Sequence, residues 1–290
     1  MNVLKIVNGL KKDYPGKNII RNGKPVTEII CEIDPTGRHP DFSRAIAVVD
    51  KIAPHYHLKT ADIYKILKGT LILYKNGKKN TVKKGKAITI KPGTIHWAKG
   101  KQTRLEVISS PGWTVEDHIL IKIIQNTDKA IAVIYKAGQW LENADKHPSK
   151  WWQPKNLNKV FLLKYAKSNE FYVATAGNNP VAAAVFQVNQ HAQDWGYIDK
   201  KKSQSALYIH WLCVDRRFAG MGLPKIMVDF AKQYARSKGI DLLRVDTNGQ
   251  KLRLRKIYEN LGFRLIGVRQ EDYRETAFYQ QEIGPATDFL

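Results

Sequence analysis

The chain has 290 residues and a formal net charge of +22 at pH 7, and this length is typical of about two domains. Hydrophobic residues make up 43% and charged residues 26%, a globular balance that excludes collagen-like, coiled-coil and largely disordered chains. No apolar run approaches the ~20 residues that span a bilayer, and residues 1–6 lack a signal-peptide pattern. We therefore expect a cytoplasmic protein with no membrane segment.

The positive charge is spread along the whole chain, since the first 118 residues carry +12 and the remainder +10. Such a charge favours anionic partners such as phosphates, CoA or nucleic acid, although solubility accounts for it equally well. No recognised nucleic-acid motif accompanies it, so we do not expect nucleic-acid binding. Two cysteines, Cys31 and Cys213, are too few for a disulfide framework or a CxxC metal site.

The first part of the chain has the pattern of an all-β domain. Short apolar segments alternate with turn residues, and Asn76-Gly77 is a strong hairpin signal because both residues tolerate positive φ. This pattern predicts a sandwich or barrel. The predicted strands cover residues 28–33, 44–49, 70–75, 81–82 and 87–90.

After residue 115 the pattern changes to alternating helices and strands, which predicts an α/β domain. Residues 222–239 carry the clearest helical periodicity, with Pro224 suited to the first turn and Gly239 to the residue after the helix. We place the domains at 1–115 and 116–290. The other predicted elements are helices from Thr127, over 157–167 and over 254–261, and strands over 171–175, 181–188, 206–214 and 242–246.

Three histidines and an aspartate in the first domain have the chemistry of a metal site. His55 and His57 point to one face if they lie on a strand, and Asp62 and His96 follow. Imidazoles favour a first-row divalent metal such as zinc, iron, nickel or manganese over magnesium or calcium. A barrel lined by these histidines without a metal is the structural alternative.

These residues resemble the cupin superfamily, a family of small β-barrels. Its first motif is His-x-His, three or four residues, Glu, six residues and Gly, matched from His55 to Gly69 with Asp62 in place of Glu. Its second motif is Gly, five residues, Pro-x-Gly, two residues and His, matched from Gly85 to His96 with Lys91 in place of Pro. The resemblance implies a jelly-roll barrel with His55, His57, Asp62 and His96 as metal ligands, and it allows a homodimer.

Eleven lysines between Lys65 and Lys101, with no acidic residue among them, belong to the same predicted barrel. The simpler interpretation is a solvated face. The functional interpretation is an anionic ligand near the barrel mouth, such as a sugar phosphate or nucleotide sugar.

A glycine-containing turn joins the strand over 206–214 to the helix that follows. Free backbone N–H groups at such a helix start, together with the helix dipole, suit a pyrophosphate. With residues 257–263, Ile-Tyr-Glu-Asn-Leu-Gly-Phe, this segment resembles the GCN5-related N-acetyltransferase (GNAT) family. Its loop motif, Arg/Gln-x-x-Gly-x-Gly/Ala, begins at Arg217 in one register and at Ala219 in the other, which we prefer because it starts the helix correctly.

The GNAT resemblance implies an α/β fold with a mixed central sheet and transfer of an acetyl group from acetyl-CoA to an amine. Tyr258 matches the family's general acid, with a core tyrosine as the structural alternative. His210, on the strand before the loop, is a candidate base. The residues implied in CoA binding are Val214, Arg217, Ala219, Gly220, Met221, Gly222 and Leu223.

The leading hypothesis is a two-domain protein, with a metal-binding cupin followed by an N-acetyltransferase acting on a small-molecule amine. The cupin would recognise a substrate, regulate the enzyme or carry a second activity. The alternative is a sensor, in which a metal- or ligand-binding cupin is coupled to a CoA-binding domain with little or no catalysis.

Overall fold

The computed structural model describes residues 1–144, 149–188, 192–199, 204–271 and 274–284. They divide into two compact units, one of Met1–Lys122 with Gly220–Gly222, the other of Ile123–Ala219 with the residues from Leu223 onward. No helix in these ranges is both long and apolar enough to cross a membrane.

The first unit is built mainly of antiparallel strands that form two layers. Two 15-residue strands, β3 and β8, pair with each other along most of their length. The first half of β3 also pairs with β2 and its end pairs with β9, whereas β8 pairs with β5 and then with β4. The strands are β1 Ile19–Asn22, β2 Glu28–Asp34, β3 Ser43–His57, β4 Ala61–Lys68, β5 Thr70–Lys75, β6 Lys78–Lys83, β7 Ala87–Ile90, β8 His96–Ser110 and β9 His118–Gln125.

The main core of this unit is formed by alternate residues of its strands, which point inward. β4 shows this alternation, with Tyr64 and Ile66 buried in the core. Fully buried side chains from five strands meet in this core, and they include Val49, Ile66, Leu71, Leu73 and Leu105. The predicted all-β architecture of the N-terminal region is therefore confirmed.

One helix of this unit was not predicted from the sequence. Helix α1, Val3–Asp13, begins after Asn2, whose side chain accepts a hydrogen bond from the N–H of Lys5. Val7 and Leu10 on its inner face join a core cluster with residues of β2 and β3. The helix thus covers the outer face of these two strands.

The second unit is α/β. Its helices are α2 Thr127–Asn143, α3 Lys159–Leu162, α4 Ala192–Asp199, α5 Leu223–Ser237 and α6 Leu252–Asn260. Its strands are β10 Phe171–Ala176, β11 Asn179–Gln187, β12 Leu207–Val214, β13 Leu242–Asn248, β14 Arg264–Gln270 and β15 Glu275–Glu282.

These strands form the mixed sheet that the sequence predicts. β12 and β13 are parallel, whereas the pairs β10–β11, β11–β12, β13–β15 and β14–β15 are antiparallel. β10 is buried along its whole length, and α2 packs against β10 and β11. Helix α5 begins at Leu223 with Pro224 in its first turn, as expected.

Two predicted helix details are wrong. The helix expected over 157–167 is limited to α3, Lys159–Leu162, with Asn158 capping its start. Helix α2 is capped by Asn126 rather than by Thr127, because the Asn126 side chain is the one that accepts from the N–H of Lys129.

Candidate functional site

The structure brings the four predicted metal ligands of the first unit together. One ligand atom each from His55, His57, Asp62 and His96 lies within 4.8 Å of all the others. His55 and His57 lie at the end of β3, Asp62 lies on β4 and His96 begins β8. All four side chains are buried. Asp62 reaches the cluster despite its short side chain, with its Oδ2 3.2 Å from His57 Nε2.

Hydrogen bonds fix which imidazole nitrogens can bind a metal. His55 Nδ1 lies 2.8 Å from the carbonyl oxygen of Ala53, and His96 Nδ1 lies 2.9 Å from that of Thr94. A carbonyl oxygen can only accept, so both Nδ1 atoms carry the proton and both Nε2 atoms keep a lone pair. Hydrogen bonding of the non-ligating nitrogen is typical of metal-bound histidines.

A hydrogen bond also orients the Asp62 carboxylate. Its Oδ1 accepts a hydrogen bond of 2.6 Å from the Ser109 hydroxyl, which leaves Oδ2 directed at the histidines.

Burial lowers the pKa of His96 to about 4 and holds that of His55 well below its ordinary value. Neutral imidazoles beside a carboxylate are the form in which these residues bind a divalent first-row metal, so the donor set fits such an ion.

Two neighbours of this cluster were not predicted from the sequence. His118 on β9 lies opposite His57 in the β3–β9 register, and its ring stacks on that of His55 at 4.2 Å. Asp117 precedes it, with Oδ2 3.5 Å from His57 Nδ1. Both are 20 or more residues beyond the second cupin-like motif, so only the strand register reveals them.

In the second unit, β12 and β13 diverge after a short paired segment. Among the described residues, they pair only at Leu207 with Leu243 and at Tyr208 with Arg244. Beyond these pairs, the facing edges of the two parallel strands do not pair with each other in the described residues, and we refer to this stretch as the opening. The sequence did not predict this opening.

A β-bulge in β12 accompanies the divergence. Opposite β11, Val185 pairs with His210 and Ala183 with Cys213, so two residues of β12 face one of β11. Trp211, one of the two, has a φ of +47°, which is rare for a bulky residue. The bulge thus lies in the part of β12 that does not pair with β13.

Both predicted catalytic side chains lie beside this opening. His210 on β12 has its Nδ1 3.9 Å from Oδ1 of Asp246 on β13. Tyr258 on α6 is 7% exposed. Burial raises the pKa of its hydroxyl, and the nearby Asp246 carboxylate on β13 raises it further. Tyr258 is therefore protonated at neutral pH.

A network of charged residues fixes Asp246. Its Oδ2 accepts from Arg274 at 3.1 Å, and Arg274 in turn lies 3.4 Å from Glu271. The Thr276 hydroxyl donates to the same Glu271 carboxylate. This network restricts the carboxylate that faces His210.

The loop after β12 has the backbone expected for the predicted CoA-binding segment. Asp215 accepts from the N–H of Arg217 and from its guanidinium, which leaves that side chain tied to the loop. Gly220 and Gly222 have φ values of +80° and +81°, conformations that favour glycine.

The predicted CoA-binding residues run through this loop into the first turn of α5. Ala219 and Gly220 are exposed, whereas the Leu223 side chain is fully buried, so Leu223 offers only its backbone to a ligand. The remaining members, Val214 and Met221, are partly buried. Just before the glycines, the Arg216 guanidinium lies 4.6 Å from the Trp140 ring of α2.

Comparison with known proteins identifies the family of the second unit. Residues 137–263 match the model of the acetyltransferase (GNAT) family. No curated protein matches the sequence. A GNAT-family acetyltransferase from Listeria monocytogenes is similar at 18% identity and a TM-score of 0.44, covering 57% of this chain and 95% of its own.

Other similar structures are mainly β. Pac13 from Streptomyces, described as a nucleoside dehydratase, has 12% identity and a TM-score of 0.32, covering 35% of this chain and 82% of its own. A Klebsiella pneumoniae protein with a double-stranded β-helix domain has 21% identity and a TM-score of 0.28, covering 32% and 79%. Residues 137–263 of the second unit thus match the acetyltransferase (GNAT) family, and the N-terminal unit that precedes them is built mainly of β-strands.

Proposed function

We propose that the second unit transfers an acetyl group from acetyl-CoA to the amine of a small molecule. The observation that carries the proposal is the opening between β12 and β13, with His210 and Tyr258 beside it. The edges of β12 and β13 that do not pair with each other would supply backbone N–H and C=O groups to an extended ligand. The glycine loop and the start of α5 supply N–H groups suited to its pyrophosphate.

The chemistry assigned to these residues is direct transfer. The neutral amine attacks the thioester carbonyl, and His210, held beside Asp246, accepts the proton that the amine loses. Backbone N–H groups at the strand edge hold the oxyanion of the tetrahedral intermediate. When the intermediate collapses, the C–S bond breaks and Tyr258 donates its proton to the departing CoA thiolate.

The test is release of free CoA thiol during incubation of the full chain with acetyl-CoA and a panel of small amines. Tyr258→Phe removes the proposed acid and keeps the ring, so we expect a loss in kcat of about 100-fold with unchanged acetyl-CoA binding. Tyr165→Phe is the matched control, because Tyr165 is exposed and lies on the edge of the Trp151 ring. Equal kcat values for the two variants would remove Tyr258 from the mechanism.

The same assay separates the enzyme from the sensor. An enzyme releases thiol in the presence of at least one amine. A sensor binds acetyl-CoA, a metal ion or both, and releases no thiol with any member of the panel.

We propose in addition that the first unit binds one divalent first-row metal ion through His55, His57, Asp62 and His96. The supporting observation is that two of the three imidazoles are fixed with Nε2 unprotonated and that Asp62 directs a free oxygen at them. A bound ion would act there as a Lewis acid. Titration of EDTA-treated protein with Zn²⁺ tests this site, with one equivalent bound as the expected result.

A further inference from the structure

The third histidine of the metal cluster lacks the backbone partner that the other two have. His55 and His96 each donate from Nδ1 to the carbonyl oxygen two residues earlier. His57 Nδ1 is buried and makes no hydrogen bond to any described residue. A buried N–H without an acceptor is destabilising, because it has lost its hydrogen bond to water and gained none in the protein.

The lack of a hydrogen-bond partner for Nδ1 affects how His57 can bind a metal. His57 Nε2 lies 3.2 Å from Asp62 Oδ2, so Nε2 is the atom directed into the cluster. To bind a metal, Nε2 must give up any proton, and the neutral ring then carries its proton on Nδ1. That buried Nδ1–H needs an acceptor on the opposite side of the ring.

Asp117 is placed to be that acceptor. Its Oδ2 lies 3.5 Å from His57 Nδ1, slightly beyond a formed hydrogen bond. The carboxylate is itself fixed, because Oδ1 accepts from the N–H of Lys59 at 2.8 Å and Oδ2 from that of Thr60 at 3.1 Å. A shift of a few tenths of an ångström therefore closes the contact without moving the carboxylate from its anchors.

We infer that Asp117 is a positioning residue of the metal site, accepting the His57 Nδ1 proton and so holding Nε2 toward the bound ion. The inference rests on the proposed metal site. Carboxylate–histidine–metal arrangements of this kind strengthen metal binding, and loss of the outer partner typically costs 10–100-fold in affinity.

Asp117 also holds the turn between His57 and Asp62, and the test must separate that structural role from the role toward His57. Asp117→Asn keeps one oxygen for the turn and removes the anionic acceptor. Asp13→Asn is the charge-matched control, because Asp13 pairs with Arg104 on the surface of the same unit. Zn²⁺ affinity of the full chain is measured by competition with a chromophoric chelator.

We expect Asp117→Asn to bind Zn²⁺ 10–100-fold more weakly than the unmodified chain, and Asp13→Asn to bind it within about twofold. Equal affinities for the two variants would overturn the inference while leaving the metal site standing. If the unmodified chain itself binds no Zn²⁺, the metal site and the inference both fail.

A second measurement needs no variant. In an NMR spectrum of the Zn²⁺-loaded chain, the His57 Nδ1–H should be protected from exchange. It should also resonate at lower field than those of His55 and His96, since its acceptor is a carboxylate rather than a carbonyl. A His57 proton that exchanges freely would contradict the assignment.

Discussion

The second unit contains a buried ion pair whose loss should be costly. Arg244 on β13 is 1% exposed, and its guanidinium makes two hydrogen bonds, of 3.0 and 2.7 Å, to the Asp199 carboxylate at the end of α4. Burial alone would lower the pKa of Arg244, but the hydrogen bonds that it donates to Asp199 and Tyr208 raise the pKa above its ordinary value. The guanidinium therefore stays charged in the folded protein.

Asp199→Ala leaves this buried charge without a counter-ion. The remaining acceptors are neutral and more distant, namely Tyr208 at 3.2 Å, Gln204 at 3.3 Å and Gln280 at 3.4 Å. Removing one partner of a buried pair typically costs 3–5 kcal/mol. We expect a loss in the free energy of unfolding of about 3 kcal/mol, the low end of this range, because those three acceptors stay.

A matched exposed pair provides the control. Arg264 and Glu282 approach to 2.9 Å, but their side chains are 65% and 72% exposed, so Glu282→Ala should cost less than about 1 kcal/mol. Urea unfolding followed by tryptophan fluorescence is the assay, since Trp195 lies 4.8 Å from the Arg244 guanidinium. Equal costs for the two variants would refute the reasoning that burial makes the difference.

Two further predictions concern buried residues, one in each unit. In the metal-free chain, the pKa of His96 is lowered to about 4. The unfolded state therefore binds more protons than the folded state between about pH 4 and 6.5. The free energy of unfolding should fall as the pH falls through that window, by on the order of 3 kcal/mol. Urea midpoints in EDTA that do not change between pH 7 and 4 would contradict this. Gly138→Ala in α2 should destabilise the fold by about 1–3 kcal/mol despite alanine's higher helix propensity. The reason is that a Cβ would meet the Leu157 side chain and lie 2.9 Å from the Trp152 carbonyl oxygen. An unchanged melting temperature would show that these neighbours move aside without cost.

The metal cluster was predictable because its ligands lie in two short motifs on strands. Strand alternation places His55 and His57 on one face, and the turn at Gly93 brings His96 beside them. His118 begins a strand that pairs with β3 across more than 50 residues of sequence, and Asp117 immediately precedes that strand. That register depends on tertiary packing, and no local pattern shows it.

The residues of the proposed acetyl-transfer site come from local motifs, namely the loop glycines and Tyr258. The early end of the β12–β13 pairing was not predicted. The bulge near Trp211 adds one residue to β12, and no glycine, proline, asparagine or aspartate in that strand marks it. Helix α1 was missed because its five apolar positions were outweighed by the β pattern that follows.

The central claim is that the opening in the second unit binds acetyl-CoA, and calorimetry on EDTA-treated full chain tests it most directly. We predict binding of one acetyl-CoA with a Kd in the micromolar range, which corresponds to about −8 kcal/mol. Removal of the metal should leave this affinity unchanged. An absence of binding at millimolar acetyl-CoA would contradict the proposed function.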